Sequence, residues 1–281
     1  MIEIKNLTFG YNKHRNIVEN MTLNIKEGYV HGLLGKNGTG KTTLLSLISG
    51  LLFAEKGEIN VDNFTPKERK VDFLSEIFFL PEEFDEIRIR IDSYVKVNAA
   101  FYPRFSYTDF KQYLEEFEIS DCHQKLSKLS YGTKKKVFIA FGLATHAKYL
   151  FFDEPTNGLD IPSKVQFRKI ILKAMADNQT IIISTHQVRD LHNLIDNIII
   201  MDKANILMNA SVGNITEKLW FGLKDKCESD VVLYEEENVG GKMIVAQNTT
   251  SSESNLDIEL LFNAAFQSRD KFNELFNNLK Q

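Results

Sequence analysis

Eight residues, Gly35-Lys36-Asn37-Gly38-Thr39-Gly40-Lys41-Thr42, fit the pattern G-x-x-x-x-G-K-[S/T]. A glycine-rich turn of this kind points its backbone N–H groups inward, round an anion. A following helix adds the partial positive charge of its N-terminus. Lys41 supplies a full charge for outer phosphates, and the Thr42 hydroxyl is a hard oxygen ligand for Mg²⁺. Such a cradle binds a nucleotide. Asp153 and Glu154 come next, directly after Tyr149-Leu150-Phe151-Phe152, and His186 closes Thr180-Ile181-Ile182-Ile183-Ser184-Thr185. In Leu129-Ser130-Tyr131-Gly132-Thr133, Ser130 stands 89 positions after Lys41, ahead of a predicted helix. A helix N-terminus there is a second place able to hold an anion. One chain then carries two phosphate-grade sites but only one full cradle, which is explained if the second completes the first site of another copy.

The elements that must position these residues are legible as patterns. Tyr29 to Leu34 reads as a buried strand entering the cradle, and Thr43 to Ile48 as a helix leaving it. Tyr149 to Phe152 reads as a strand buried on both faces, with its acids at the C-terminal end where open parallel sheets bind ligands. Ile77-Phe78-Phe79-Leu80 and Ile198 to Met201 read as further strands, so strands alternate with helices in a doubly wound α/β core. Before the cradle, Ile2, Ile4, Leu7 and Phe9, then Leu23 and Ile25, alternate with polar residues as in antiparallel strands. From Phe84 to about Ala147 apolar residues recur at helical spacing, which predicts a mostly helical insertion. Lys134-Lys135-Lys136 within it reads as a solvated face. After about Ala210, Val231 to Tyr234 and Met243 to Val245 read as a hairpin. Asn248 to Asn255 is linker-like, and Ile258 to Leu279 carries one helical apolar stripe.

Composition narrows the class. A chain of 281 residues with 43% hydrophobic and 26% charged residues has the balance of a globular protein with a sizeable core. Its net charge of −4 offers no general attraction to nucleic acid, and none is expected as partner. Cys122 and Cys227 are far apart in polar settings, giving neither a disulfide framework nor zinc spacing. No apolar run is long enough to span a bilayer and no signal-peptide core opens the sequence, so any membrane role is expected through a partner.

The motifs in this order resemble the ATP-binding subunit of an ABC transporter, over roughly residues 1 to 210. Gly35 to Thr43 matches the family's Walker A loop, Leu129 to Thr133 its signature, Leu150 to Glu154 its Walker B strand with the adjacent glutamate, Gly158-Leu159-Asp160 its D-loop, and His186 its switch histidine. Tyr11 falls where the family places an adenine-stacking aromatic. The resemblance implies an α/β P-loop NTPase core of ABC type (1–210) with an N-terminal antiparallel β part and a helical insertion at about 84–147. A small C-terminal α+β accessory region (211–281) would follow it. It implies ATP and Mg²⁺ as cofactors and assigns roles. Lys41 and the loop from Gly35 through Asn37, Gly38, Thr39, Gly40, Thr42 and Thr43 would hold the phosphates. Thr42 and Asp153 would serve the metal, Glu154 would be the general base, and His186 would contact the γ-phosphate. Ser130 and Gly132 would close over ATP of the opposite subunit, and Asp160 would link the two sites.

Two positions depart from the family pattern. Glu82 stands where a glutamine is usual, bringing a charge to the metal and water site. Tyr131 and Thr133 replace Gly and Gln in the signature, while Ser130 and Gly132 remain. The implied partners are a second copy or a homologous ATPase subunit, and separately encoded transmembrane permease subunits. The chain would then be cytoplasmic and peripheral on the inner face of the membrane. The alternative is a soluble ABC-type ATPase acting on ribosomes or DNA. It is disfavoured by the single cassette, the absence of room for a coiled coil before the signature, and the acidic balance.

Overall fold

The computed structural model of the chain describes residues 1–276, apart from 13, 14, 192, 228, 230 and 250–252. In chain order the strands are β1 (Ile2–Phe9), β2 (Val18–Ile25), β3 (Val30–Leu34), β4 (Lys56–Val61), β5 (Ile77–Leu80), β6 (Tyr149–Asp153), β7 (Thr180–Thr185), β8 (Asn197–Asp202), β9 (Asn205–Ser211), β10 (Leu219–Leu223), β11 (Val232–Asn238) and β12 (Gly241–Gln247). The α-helices are α1 (Lys41–Ile48), α2 (Val71–Ser75), α3 (Ile91–Asn98), α4 (Tyr107–Glu116), α5 (Tyr131–Ala144), α6 (Ile161–Ala174), α7 (Val212–Lys218), α8 (Ile258–Gln267) and α9 (Arg269–Phe276).

Six strands form the central sheet in the order β5-β6-β7-β3-β8-β9. All neighbours are parallel except β8 and β9. The continuous apolar runs follow from burial on both faces, because successive side chains in a strand point to opposite sides. Leu150, Phe152, Ile181, Ile183, Ile198 and Ile200 join the core on one face. Tyr149, Phe151, Ile182, Ile199 and Met201 join the core on the other. The second core is closed by α1 and by the antiparallel sheet β2-β1-β4, whose Ile2, Ile4, Leu23 and Ile25 point inward. The first is closed by α3 to α6. The α/β P-loop fold expected from the sequence is the one observed.

Three details differ from the sequence reading. The apolar stripe after Ile258 is two helices, broken at Ser268, and Leu279 lies outside the described residues, as does part of the linker-like stretch at 250–252. Strands β9 and β10 carry no clear alternation and were not foreseen. β10 pairs with β12 of the β11–β12 hairpin to make a third sheet. Its Leu219 and Phe221, with Leu261 and Phe272 of the last helices, belong to the same apolar cluster as the helical face of the central sheet. The third difference is Lys135, which is fully buried rather than solvated. Successive residues on a helix point about 100° apart, so three lysines in a row cannot share one face.

Candidate functional site

The site lies at the C-terminal ends of β3, β6 and β7, adjacent parallel strands whose register puts Leu34 beside Thr185 and Asp153 beside Ser184. Gly40 caps α1 at φ 101°, a left-handed conformation that a side chain would oppose. Glycine thus lets the chain turn from the loop into the helix. The Lys41 side chain is buried. Its Nζ donates to the carbonyls of Gly35 at 2.8 Å and Lys36 at 3.4 Å and lies 3.6 Å from Glu154 Oε1. Thr39 Oγ1 donates to the Lys36 carbonyl at 2.9 Å, closing the loop.

Asp153 is buried, and each carboxylate oxygen accepts one hydroxyl. Ser184 donates to Oδ1, and Thr42 donates to Oδ2 at 2.5 Å. Burial pushes the Asp153 pKa up, and the two hydroxyls oppose that shift. Glu154 is held as firmly. Oε2 accepts from Thr185 Oγ1 at 3.0 Å, and Oε1 accepts from the His186 backbone N–H at 3.0 Å and its Nδ1 at 2.9 Å. A carboxylate only accepts from an imidazole, so His186 carries its proton on Nδ1 in this pairing. Asp153, Thr42 and their hydroxyl partners form a hard oxygen donor set at the mouth of the cradle, which fits Mg²⁺.

Tyr11, Asn37, Gly38, Gly40, Lys41, Thr42, Thr43, Glu82 and Glu154 line one cavity of about 290 Å³, together with Ile17. Tyr11 is largely exposed, and its hydroxyl pairs with Thr43 Oγ1 at 3.2 Å, so one ring edge is tethered to the start of α1. Glu82 points its carboxylate at Asn157, whose Nδ2 donates to Oε1 at 2.8 Å. A larger groove of about 460 Å³ runs along β1 and β4 and carries none of the motif residues.

Ser130, Gly132 and Asp160 are not in this cavity. Ser130 caps α5, its Oγ accepting from the Thr133 N–H at 3.1 Å, and Asp160 caps α6, accepting from the Ser163 N–H at 2.9 Å. Gly132 is pressed on the turn before α6: a Cβ there would lie 2.6 Å from the Gly158 carbonyl oxygen. Tyr131 stacks on Phe84 at 5.2 Å, and its hydroxyl donates to the Glu82 carbonyl.

Several contributors escaped the sequence reading. Ser184 and Thr185 of β7 are two of them, and polar residues ending an otherwise apolar run are the signal that marks them. Asn157 joins Glu82 to Gln187, whose Nε2 donates to Asn157 Oδ1 at 2.9 Å. Lys135 donates to the carbonyls of Glu154 at 2.7 Å and Asn157 at 3.3 Å. Burial pushes its ammonium down to about 8, against the pull of Glu82, Glu154 and Asp153. The C-terminal region also reaches the cradle. Lys36 Nζ sits 4.8 Å over the Phe266 ring, and Arg189, just after His186, pairs with Glu259 at 2.6 Å.

Known proteins resemble this chain in sequence and in fold. The family described as "ABC transporter" matches residues 18–157. A putative ABC transporter ATP-binding protein of Pyrococcus furiosus is 30% identical over 225 residues, covering 73% of this chain and 82% of that one. The chain belongs to the ATP-binding proteins of ABC transporters. The methionine import ATP-binding protein MetN of Carboxydothermus hydrogenoformans is also 30% identical, over 253 residues, covering 83% of this ABC protein and 72% of that one. Among solved structures, a dimeric bacterial ABC transporter cassette superposes with TM-score 0.67 at 25% identity, covering 75% of this chain and 99% of that one. An ATP-binding subunit of an ABC transporter superposes with TM-score 0.68 at 22% identity, covering 76% and 91%, a likeness of fold. This ABC protein is accordingly an ATPase. Among the described residues no helix is long and apolar enough to cross a membrane.

Proposed function

We propose that ATP binds in the cavity between Tyr11 and the cradle, and that a second copy or a homologous subunit closes the site head to tail. The observation that carries this reading is the split in the motif residues. Asn37, Gly38, Gly40, Lys41, Thr42, Thr43 and Glu154 line one cavity, and Asp153 and His186 are hydrogen-bonded to its Thr42 and Glu154, whereas Ser130 and Gly132 neither line it nor bond to these side chains. The adenine would stack on Tyr11. Mg²⁺, held by Thr42 and Asp153, would neutralise phosphate charge. Lys41 and the loop amides would hold the β- and γ-phosphates, with Glu82 beside the metal and water.

Glu154 is the proposed base. Its Oε1 faces Lys41 and His186 at 3.6 and 2.9 Å. An arriving triphosphate competes for the same two groups. It draws Lys41 and His186 towards the γ-phosphate and leaves Glu154 able to take a proton from a water. Positioning and charge neutralisation then supply most of the rate, as phosphoryl transfer requires. Ser130 and Gly132 of the opposing copy would complete the pocket, and Asp160 would pass its state across.

Coupling to transport needs separately encoded permease subunits. Val97, Phe101 and Tyr107 of the helical insertion, each more than half exposed, support docking there. The chain would thus sit on the cytoplasmic face of the membrane through these partners. Replacing Glu154 by Gln tests the reading. The variant is expected to bind ATP at near wild-type affinity while turnover falls at least a hundredfold, the scale of losing a general base. Unchanged turnover would remove Glu154 from the role.

A further inference from the structure

Lys135 has no part in the mechanism above, yet its side chain has no exposure to solvent. A buried ammonium must be paired or fully hydrogen-bonded. Its partners here are two main-chain carbonyls, those of Glu154 and Asn157, with the Tyr131 ring 5.0 Å from Nζ. The choice of partner is informative. Glu154 has φ 46°, a left-handed conformation that is uncommon for glutamate and persists only where the surroundings over-determine it. Its backbone N–H donates to the Ser184 carbonyl at 3.0 Å, and its carbonyl accepts from Lys135. Both peptide groups flanking the Glu154 Cα are therefore held, and with them the direction in which its carboxylate leaves the backbone.

The lysine belongs to α5, a helix of 14 residues that is capped by Ser130 and carries Gly132 in its first turn. The Asn157 carbonyl it also holds precedes Gly158, the residue pressed against Gly132. The Asn157 side chain in turn joins Glu82 and Gln187. Lys135 thus sits where the helix that serves the opposite site meets the turn that carries this site's carboxylate.

We propose that Lys135 is a positioning residue for Glu154, fixing the carboxylate through its backbone and tying it to the start of α5. The inference rests on Glu154 being the base. Closure of a partner on Ser130 would then bear on the Glu154 peptide of the same chain through one side chain.

The test compares Lys135→Met and Lys135→Gln in the full-length protein. Methionine keeps the apolar stem but donates nothing. Glutamine keeps two N–H donors without charge, on a stem one atom shorter that reaches one of the two carbonyls. The expected order of kcat is wild type, K135Q, K135M, with K135M down about a hundredfold, as for a misplaced reacting group. K135Q should be down roughly tenfold, the scale of one lost hydrogen bond, and KM for ATP should stay near wild type in both. If K135M does not fold, the tenfold loss in K135Q at unchanged KM carries the test. Wild-type kcat in K135Q together with either wild-type kcat or no fold in K135M overturns the proposal. So does a rise in KM that accounts for the loss, and so does loss of fold in both variants. E154Q separates the two levels. If E154Q still hydrolyses ATP, the assignment of the base fails. If E154Q is inactive while K135M is fully active, only the role of Lys135 fails.

Discussion

Replacing Gly132 by Ala probes the contact between the start of α5 and the turn before α6. The added carbon would lie 2.6 Å from the Gly158 carbonyl oxygen, with Leu159 Cδ2 at 3.7 Å. The obstacle is backbone, so no rotamer change relieves it, and α5 must retreat by the better part of an ångström. Overpacking of this kind costs about 1–3 kcal/mol. Alanine returns up to about 1 kcal/mol because it is the better helix former. With the full return a net loss of up to about 2 kcal/mol remains, which lowers Tm by roughly 2–4 °C for each kcal/mol in a chain of this size. The retreat also carries Ser130 and Lys135, so turnover should fall by more than stability does, towards a hundredfold. Gly213→Ala in α7 is the control, since nothing lies within 4 Å of its Cβ position. It should melt at or above wild type with unchanged turnover. Thermal melts and steady-state ATP hydrolysis on the two variants decide the matter. A G132A protein that melts and turns over like wild type would refute the tight approach of these two segments.

Two further perturbations act on buried charge. Lys135 is held at about 8 in the fold and returns to the ordinary lysine range, near 10.5, on unfolding. The unfolded chain therefore binds more protons between those values. Wild type should gain stability over K135M as pH rises from 8 to 10.5, by at most about 1.4 kcal/mol per pH unit, and gain nothing below 8. Denaturant unfolding at several pH values measures this, and a flat difference would contradict it. Asp153→Asn removes a carboxylate whose charged form burial disfavours, and the Ser184 and Thr42 hydroxyls can rotate to serve an amide. Without nucleotide, D153N should melt no lower than wild type, while the extra Tm that Mg²⁺ adds to ATP should vanish. A persistent Mg²⁺ effect would remove Asp153 from the metal site.

The parts of the fold that could be read from the sequence were those with one dominant physical cause. Strands buried on both faces are continuous apolar runs, so β3, β6, β7 and β8 were plain, and the motifs placed their ends at the site. The local glycine and hydroxyl pattern from Gly35 to Thr42 carries its own chemistry. What escaped depends on long-range packing. Lys135 looks like surface in a row of three lysines, and only the fold shows that one of the three points inward at Glu154. Asn157 and Thr185 act through partners 75 and 31 positions distant along the chain, where no local pattern marks them. Strands β9 and β10 lack alternation because they lie at sheet edges, half in solvent.

The central claim is that a full catalytic site needs two copies. Sedimentation of the E154Q protein with ATP tests it most directly. The 32.3 kDa chain should double in mass on adding Mg·ATP. The Ser130→Arg/E154Q double variant should bind ATP and remain a monomer, because the arginine would obstruct the site of the opposite copy. An ATP-loaded E154Q protein that stays monomeric would contradict closure by a second copy, and a double variant that dimerises just as well would contradict the place of Ser130 in the shared site.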